Sequence, residues 1–455
     1  MQESVKNVII VAERVIAMLE RKIEKDLIEW KNNTNKKCLL IRGARQVGKT
    51  YIIDKFAKEN YENYIYINFE LFPSLKRIFD GDLDINTLRM NIEVNFPDKK
   101  LVPNKTIIFL DEIQSCPNAR VALKTFALDK SYDVIASGSL LGLYYKEIKS
   151  YPVGYETDIE MYPLDFEEFL WALGVSKYII KSLKESFNNK KNISDVVLSK
   201  IEEYFKLYIL IGGMPDVVNE YLNSKSLTNV LNVQRSIVKN YKNDVVKYAS
   251  DDDKNKILDT FDSIPRQLAR KNKKFQYNLI NTNDGNVGER KYKSSIEWLK
   301  DAGIVNLCYN LTEPAAPLVS NMINDSYKMY MKDTGLLISM LEDGTQKLIL
   351  ENNLDINEGS ILENVFAEEI MSKYNYVTYF EKKSKLEIDF ILNIDGVITA
   401  IEVKSGNNKQ AKSLKSIINN YKTVKRYMKF ELTDKIYVDE NGIEHYPLFM
   451  IMFIK

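Results

Sequence analysis

The chain has 455 residues, of which 45% are hydrophobic and 28% are charged, and 64 basic against 63 acidic residues leave a net charge of +1. This composition is typical of a globular protein with roughly two to four domains and excludes a disordered chain or a highly basic tail. Apolar runs are too short to span a bilayer, and charged residues interrupt the N-terminus, so we expect neither a membrane segment nor a signal peptide. The scattered cysteines favour a cytoplasmic location, and a single histidine makes histidine-dependent hydrolases implausible.

The first part of the chain alternates between helical and strand-like patterns. Apolar residues spaced by three and four across residues 8–30 predict an amphipathic helix. Short apolar runs between helical patterns predict strands at 38–41, 64–69, 107–110 and 132–136. This alternation predicts an α/β domain with a mainly parallel sheet over residues 1–175.

Three further segments follow. Residues 176–250 have helical patterns throughout. Over residues 251–350, two helical patterns precede two strand-like segments, which predicts a winged-helix-like domain. From 351 to 455, a helix, three strands and a second helix predict another α/β domain.

A phosphate-binding loop follows the first strand. Its residues fit the pattern G-x-x-x-x-G-K-[ST], and they are Gly43, Ala44, Arg45, Gln46, Val47, Gly48, Lys49 and Thr50. Glycines let successive backbone N–H groups surround phosphate oxygens, Lys49 would reach the β- and γ-phosphates, and the Thr50 hydroxyl would ligate Mg²⁺. The loop therefore predicts binding of ATP with Mg²⁺, and the alternative interpretation is a plain glycine-rich turn.

Two carboxylates, Asp111 and Glu112, end the apolar strand at 107–110. In an ATP site, Asp111 would hold Mg²⁺ and Glu112 would polarise the attacking water. Taken alone, such a pair also fits the start of a helix, where a carboxylate caps backbone N–H groups. Together with the loop, Glu112 favours an ATPase over a small-molecule kinase, which needs no base that activates water.

Several stretches together resemble one protein family: GARQVGKT, FLDEIQ, ASGS, YPLDFEEFL and GGMP. They are similar to bacterial and archaeal AAA-type P-loop ATPases fused to a C-terminal nuclease-like region of unknown function. The resemblance implies that Ser137 or Ser139 senses the γ-phosphate. It also implies an arginine beside Gly154, where this chain has Tyr155, so a trans-acting arginine finger is in doubt. Arg120 is a weak substitute, and its alternative is a solvated helix residue.

A β-hairpin with carboxylates is predicted in the C-terminal segment. Asp395 and Gly396 between alternating apolar runs indicate a two-residue turn. This turn pairs Phe390 with Ile401 and Asp389 with Glu402. The face predicted to be buried consists of Ile388, Phe390, Ile401 and Val403. The opposite face carries Asp389, Glu402 and Lys404, and two opposed carboxylates repel unless a cation lies between them.

The spacing of these residues is similar to the PD-(D/E)xK nuclease core. The resemblance implies metal ligation by Asp389, Glu402 and Glu363, with Lys404 as a catalytic lysine and Mg²⁺ or Mn²⁺ as the metal. The alternatives are a surface salt-bridge cluster and, for Glu363, a capping box with Ser360. The expected fold class is thus α/β: a P-loop ATPase parallel sheet, a helical and winged-helix region, and a restriction-endonuclease-like α/β domain.

Acid-free basic runs at 404–429 and 266–274, with Arg290, Lys291 and Lys293 nearby, suit a DNA backbone, although such runs are often solvated faces.

Our leading hypothesis is a cytoplasmic Mg²⁺-dependent ATPase that acts on DNA and carries a metal-dependent nuclease domain. The alternative is an ATP-driven DNA- or protein-binding switch whose nuclease-like domain is only structural. Homo-oligomers are compatible with either hypothesis, and a membrane partner with neither.

Overall fold

In a computed structural model of the chain, the described residues are 19–139, 154–280, 288–351, 358–382, 386–405 and 412–455. The first unit is a five-stranded sheet in the order β2-β3-β4-β1-β5, with every strand parallel to its neighbours. Its strands are β1 Cys38–Arg42, β2 Asn63–Asn68, β3 Thr106–Asp111, β4 Asp133–Gly138 and β5 Glu156–Glu160. The four strands predicted from apolar runs and the parallel α/β fold are therefore confirmed.

Helices cover both faces of this sheet, which explains why its inner strands are apolar on both sides. The helices are α1 Ile23–Asn32, α2 Lys49–Asn60, α3 Ile85–Asn95 and α4 Pro117–Asp129. The predicted helix over residues 8–30 is partly wrong, because residues 19–22 are not helical. Arg21 instead turns inward and donates to the carbonyls of Val47 and Tyr162. Residues 8–18 lie outside the described part.

The predicted helical region is confirmed as a series of helices. They are α6 Lys177–Asn189, α7 Asp195–Ile211, α8 Pro215–Ser224 and α9 Leu227–Tyr248, and α5 Phe166–Ala172 precedes them at the end of the first unit. Two glycines and Met214 separate α7 from α8. A Cβ atom on Gly213 would lie 2.0 Å from the Leu164 carbonyl oxygen, so no side chain fits there. This close approach joins the helical region to the end of the ATPase unit.

Two helices and an antiparallel strand pair follow, in the order that the winged-helix prediction required. They are α10 Asp251–Leu268, α11 Glu289–Asp301, β6 Val305–Leu311 and β7 Met322–Met331. Two short helices, α12 Thr334–Ser339 and α13 Thr345–Leu350, come next. However, β6 also pairs in parallel with β8 Val377–Lys382, which pairs with β9 Leu386–Ile388. One sheet, in the order β7-β6-β8-β9, thus crosses the domain boundary proposed at residue 350.

The C-terminal segment forms a third sheet beside the long helix α14, Glu358–Tyr374. Its strands, in the order β10-β11-β12-β14-β13, are β10 Phe390–Ile394, β11 Val397–Lys404, β12 Arg426–Glu431, β13 Tyr437–Val438 and β14 Ile443–Pro447. Helix α15, Lys412–Asn420, connects β11 to β12. The predicted hairpin register is confirmed, with Phe390 opposite Ile401. The turn residues Asp395 and Gly396 have φ values of 50° and 84°, as a type I′ turn requires.

A single apolar cluster runs from one face of the ATPase sheet through the helical region to α14 and the C-terminal strands. The buried segment Leu448–Phe453 belongs to it and contacts α5, α6 and α7. The first unit and the C-terminal segment are therefore packed together. Among the described helices, none combines the length and apolar character that crossing a membrane requires.

Candidate functional site

The phosphate loop lies between β1 and α2 and depends on backbone conformations that few residues adopt. Gly43, Gln46 and Gly48 have φ values of 148°, 65° and 94°. A Cβ atom on Gly43 would lie 2.3 Å from the Met161 carbonyl oxygen, so only glycine fits there. The loop therefore has the curvature that a phosphate cradle requires, and α2 begins directly after it at Lys49.

Lys49 and Thr50 occupy the centre of this site. The Lys49 ammonium donates to the carbonyls of Gly43 at 2.9 Å and Ala44 at 2.8 Å. Burial lowers the pKa of Lys49 to about 8, while the nearby carboxylates of Glu112 and Asp111 oppose this shift. A bound phosphate would offer the ammonium a better partner than these carbonyls.

Asp111 is buried at the end of β3 and accepts a dense set of hydrogen bonds. Its Oδ2 accepts from the Thr50 hydroxyl at 3.1 Å, the Tyr66 hydroxyl at 3.0 Å and the Asn68 amide at 3.0 Å. Its Oδ1 accepts from the Ser137 hydroxyl. Strand β4 lies between β1 and β3, and this order brings Ser137 to the two motifs. The sequence analysis missed Tyr66 and Asn68, although Asn68 pairs directly with Asp111 in the sheet.

Glu112 projects from a left-handed backbone conformation, with φ 52°. Its Oε2 accepts from the Gln114 amide at 2.6 Å and the Ser139 hydroxyl at 3.2 Å. Its side chain caps no helix, so the capping alternative does not describe this residue. A strained, oriented carboxylate beside a phosphate loop is typical of functional sites.

A cavity of about 320 Å³ adjoins the loop. Glu112, Lys49 and Thr50 line one end. The rest of the wall is mixed apolar and polar, and it includes Leu19, Arg21, Tyr51, Ile52, Met161, Pro215, Asp216 and Asn219. The volume and lining suit a small organic ligand such as a nucleoside. The GGMP stretch therefore contributes to the site through Pro215 at the start of α8.

The predicted substitute arginine, Arg120, lies elsewhere. Its side chain is buried between α4 and β5 and donates to Glu156 at 2.8 Å. The alternative of a solvated helix residue is therefore wrong, because the guanidinium is enclosed with a carboxylate. An enclosed arginine cannot project into a neighbouring molecule.

Comparisons with known proteins agree with this geometry. Residues 35–170 match the model of a family described as an AAA domain. The part of the chain that holds the phosphate loop and the Asp111–Glu112 pair is therefore similar to AAA domains. Residues 202–347 and 358–449 match two families described as domains of unknown function, DUF8612 and DUF4143.

Two relatives are uncharacterized proteins. One, from Methanocaldococcus jannaschii, is 26% identical over 386 residues, which cover 83% of this chain and 76% of that protein. The other, from Haemophilus influenzae, is 25% identical over 185 residues, which cover 39% of this chain and 40% of that protein. Neither name states an activity.

Solved structures with partial similarity include a Walker-type ATPase of Pyrococcus abyssi. It is 15% identical, with a TM-score of 0.42, and the match covers 71% of this chain and 96% of that one. The Orc1 protein of Aeropyrum pernix in complex with DNA is 12% identical, with a TM-score of 0.30 and coverage of 73% and 95%. These likenesses are too distant to assign an activity.

The carboxylates predicted for the C-terminal site are buried rather than solvated. Asp389 lies in a bend between β9 and β10, outside the strand ladder, and its Oδ2 accepts from the Val403 N–H at 2.8 Å. Glu402 is only 3% exposed, and its Oε1 pairs with the Lys404 ammonium at 2.8 Å. Burial raises the pKa of Asp389 to about 7, and Glu363 adds to this shift.

The bend at Asp389 also corrects the predicted faces of the hairpin. Ile388 packs in a cluster with Phe380 and Ile391, whereas Phe390 packs against Phe366. The two residues were expected on one face, but the chain changes from one sheet to another between them. Both faces of the hairpin are consequently covered, and a surface salt-bridge cluster does not describe it either.

Glu363 is held by cations from the preceding segment. It accepts from the Lys273 ammonium, from Lys328 at 3.3 Å and from the Tyr330 hydroxyl at 2.8 Å. Burial acts to raise the pKa of Glu363, but the charges of Lys328 and Lys273 outweigh it and lower the pKa to about 2. Ser360 lies inside α14, so the capping-box alternative is wrong.

These contacts decide whether the C-terminal residues fit a metal. The described residues contain no group of three His, Cys, Asp or Glu side chains that could hold a metal ion. Lysines already neutralise Glu363 and Glu402, and Lys328 also pairs with Glu387 at 2.6 Å. Asp389, Glu402 and Glu363 therefore do not form a ligand set in this arrangement, and we derive no metal chemistry there.

The basic runs divide into paired and exposed side chains. In the 404–429 run, Arg426 pairs with Glu444 and the buried Lys429 pairs with Glu431. Four exposed lysines remain on or just after α15, and they are Lys412, Lys415, Lys422 and Lys425. In the other runs Arg266, Arg270, Lys271, Arg290 and Lys293 are exposed, whereas Lys273 binds Glu363. Lys409 lies outside the described residues.

Proposed function

We propose that the protein is a Mg²⁺-dependent ATPase that acts as an ATP-driven DNA-binding switch. The observation that supports ATP hydrolysis is the placement of Lys49, Thr50 and Glu112 around one cavity, with Asp111 bound to the Thr50 hydroxyl. A kinase that passes phosphate to a small molecule needs no base that activates water, so Glu112 favours hydrolysis. Hydrolysis requires such a group to orient water.

Each residue has a distinct part in this proposal. Lys49 would leave the loop carbonyls and bind the β- and γ-phosphate oxygens, while Thr50 and Asp111 would hold Mg²⁺. The metal, when bound, neutralises charge on the phosphates. Glu112, kept in place by Gln114 and Ser139, would orient water and accept its proton.

DNA is proposed as the partner because of the four exposed lysines near α15. None of the four pairs with an acidic side chain in the described part of the chain, so their charge is available to a polyanion. Each phosphate contact contributes a slope of about −0.9 to log K against log salt for duplex DNA. Binding of a duplex, followed by fluorescence anisotropy, should therefore weaken steeply as salt increases.

Charge reversal tests this surface. Changing Lys412, Lys415 and Lys422 to Glu should flatten the salt dependence of DNA binding. The matched control changes Lys99, Lys100 and Lys181, which are also exposed, to Glu. The two triple variants then have the same net charge. Equal effects of the two triple variants, or salt-independent binding, would remove α15 from the proposal.

The C-terminal unit acts as a structural module in this proposal. The support is the enclosure of Glu363 by two lysines and a tyrosine, together with the lack of a metal-binding group of three side chains among the residues that the structure describes. Wild type incubated with duplex DNA and Mn²⁺ should therefore leave the DNA intact. Cleavage by wild type that Asp389→Ala abolishes would instead restore the nuclease hypothesis.

A further inference from the structure

The side chain of Arg45 lies in the phosphate loop, yet no phosphate-binding pattern gives it a role. Its Nε lies 3.4 Å from the Ser139 hydroxyl, which in turn donates to Glu112 at 3.2 Å. The guanidinium is thus one hydroxyl away from the carboxylate proposed to orient water. Arg45, Lys49 and Glu112 also line the same cavity, in which the proposed function places the phosphates.

Helix α9 holds the same guanidinium from the other side. Arg45 Nη1 donates to Asp244 at 2.5 Å, and Nη2 donates to Glu70 and to the Tyr248 hydroxyl, each at 3.3 Å. The Tyr241 hydroxyl also donates to the Arg45 carbonyl at 3.2 Å. The C-terminal half of α9 therefore contacts both the backbone carbonyl and the side chain of Arg45 in the loop.

The charges of this cluster conflict with a bound triphosphate. One guanidinium faces the carboxylates of Asp244 and Glu70, with Glu112 close by. A γ-phosphate would add further negative charge, and like charges in a partly buried site repel. The phosphate and the α9 carboxylate thus compete for one cation, and each must weaken the binding of the other.

We propose that Arg45 is a catalytic arginine supplied in cis, which binds the γ-phosphate and which Asp244 and Tyr248 hold when that phosphate is absent. The inference rests on the proposed ATPase function. In hydrolysis, water forms the new bond to phosphorus, the bond to the β-phosphate oxygen breaks, and Glu112 takes the proton. Arg45 transfers no proton and offsets the negative charge of the transferring phosphoryl group.

The arrangement also connects the site to the next segment of the chain. Tyr248 ends α9, and α10 begins at Asp251 after two residues. Release of Arg45 by α9 would therefore free the end of the helix that leads into the winged-helix-like segment. ATP would loosen this contact, whereas ADP, which lacks the γ-phosphate, would leave it intact.

The test compares ADP with a non-hydrolysable ATP analogue by calorimetric titration, alongside steady-state hydrolysis of ATP. Asp244→Asn should tighten analogue binding about tenfold and leave ADP binding unchanged. Arg45→Ala should lower kcat by about 10³-fold, retain ADP affinity and lose the preference for the analogue. In the double variant, Asp244→Asn should have no further effect, since its only proposed route is through Arg45.

The matched controls are Arg235→Ala and Asp343→Asn, because Arg235 also lies on α9 and pairs with Asp343 at the surface, away from the loop. Both should leave nucleotide binding and kcat unchanged. If Arg45→Ala does not fold, Asp244→Asn decides by itself. The inference would be overturned if Arg45→Ala kept the wild-type kcat. It would also be overturned if Asp244→Asn changed neither affinity, or changed the affinities for ADP and the analogue equally. Neither result would affect the proposed function. Failure of wild type to bind either nucleotide would instead overturn the proposed function.

Discussion

At the scale of single residues, the nucleotide site is organised by hydrogen bonds to two carboxylates. Asp111 accepts from groups on α2, β2 and β4, and Glu112 accepts from Gln114 and Ser139. These contacts fix the two side chains before any ligand binds, so little reorganisation is needed during the reaction. The site is preorganised from several elements rather than from one motif.

Glu112→Gln should bind ATP but hydrolyse it about 10²–10⁴-fold more slowly, since an amide cannot accept a proton from water. Lys49→Ala should lose nucleotide binding, because this change removes the buried ammonium that is proposed to bind the β- and γ-phosphates. Titration calorimetry measures binding, and phosphate release measures the rate. Glu93→Gln, on the exposed face of α3, is the control that should change neither. Hydrolysis by Glu112→Gln at the wild-type rate would show that another group activates water.

At the scale of elements, the C-terminal hairpin shows how a correct register can still give a wrong environment. The turn at Asp395 and Gly396 set the pairing as predicted. The expectation of a solvated carboxylate face failed because β7 brings Lys328 against the cluster. Lysines therefore supply the cations of this cluster: Lys328 pairs with Glu363 and Glu387, and Lys404 of the hairpin itself pairs with Glu402.

Lys328→Met should destabilise the protein by about 3–5 kcal/mol, because Glu363 and Glu387 would lose their buried partner. Urea unfolding measures this loss. Lys347→Met is the control, since that lysine is exposed on α13 and its removal should change stability by less than about 0.5 kcal/mol.

The response of the same cluster to Mn²⁺ distinguishes the lysine-paired arrangement from a metal site. In the Lys49→Ala background, which disables the nucleotide site, we expect Mn²⁺ to leave the melting temperature unchanged. A concentration-dependent rise with Mn²⁺ that Asp389→Asn abolishes would show that a metal displaces the lysines.

At the scale of the whole molecule, one buried junction joins all four segments. The Asp333 carboxylate accepts from the Gly213 N–H at 2.7 Å, and Glu368 accepts from Tyr208 at 2.9 Å and from Thr334. Glu369 accepts from the Phe166 N–H at 2.7 Å. Any relative movement of the segments must therefore break buried hydrogen bonds.

This junction predicts a pH dependence of stability. Burial raises the pKa of Asp333 to about 6, although the hydrogen bonds that this carboxylate accepts from backbone N–H groups act to lower it. Glu368 of α14, Tyr208 of α7 and Tyr241 of α9 face it, and the Glu368 pKa is also raised by burial and by Asp333. The folded state thus binds a proton at Asp333 that the unfolded state has released above about pH 4.

The contribution of Asp333 is fully present below pH 4 and is lost as pH rises through about 6. Wild type should therefore gain stability relative to Asp333→Asn as the pH falls from 7 to 5. Urea midpoints of the two proteins across this range measure the difference. Asp98→Asn, at an exposed position, serves as the control. A difference between wild type and Asp333→Asn that is constant with pH would contradict the pKa shift.

The sequence by itself determined what depends on neighbours along the chain. Apolar periodicity gave the strands of the parallel sheet, glycine and lysine spacing gave the phosphate loop, and the Asp395–Gly396 pair gave the hairpin register. Each of these follows from backbone geometry that a few consecutive residues control. Asp111 and Glu112 were found for the same reason, because they directly follow an apolar strand.

The tertiary structure alone decided which distant side chains share a site. Nothing in the sequence spacing relates Arg45 to Asp244, or Lys328 to Glu363, because these pairs meet only when helices and sheets pack. The same packing keeps residues 19–22 out of the predicted first helix, because Arg21 instead donates to the carbonyls of Val47 and Tyr162. Burial then set the ionisation of Asp389 and Asp333, because desolvation depends on the whole surrounding volume and not on adjacent residues.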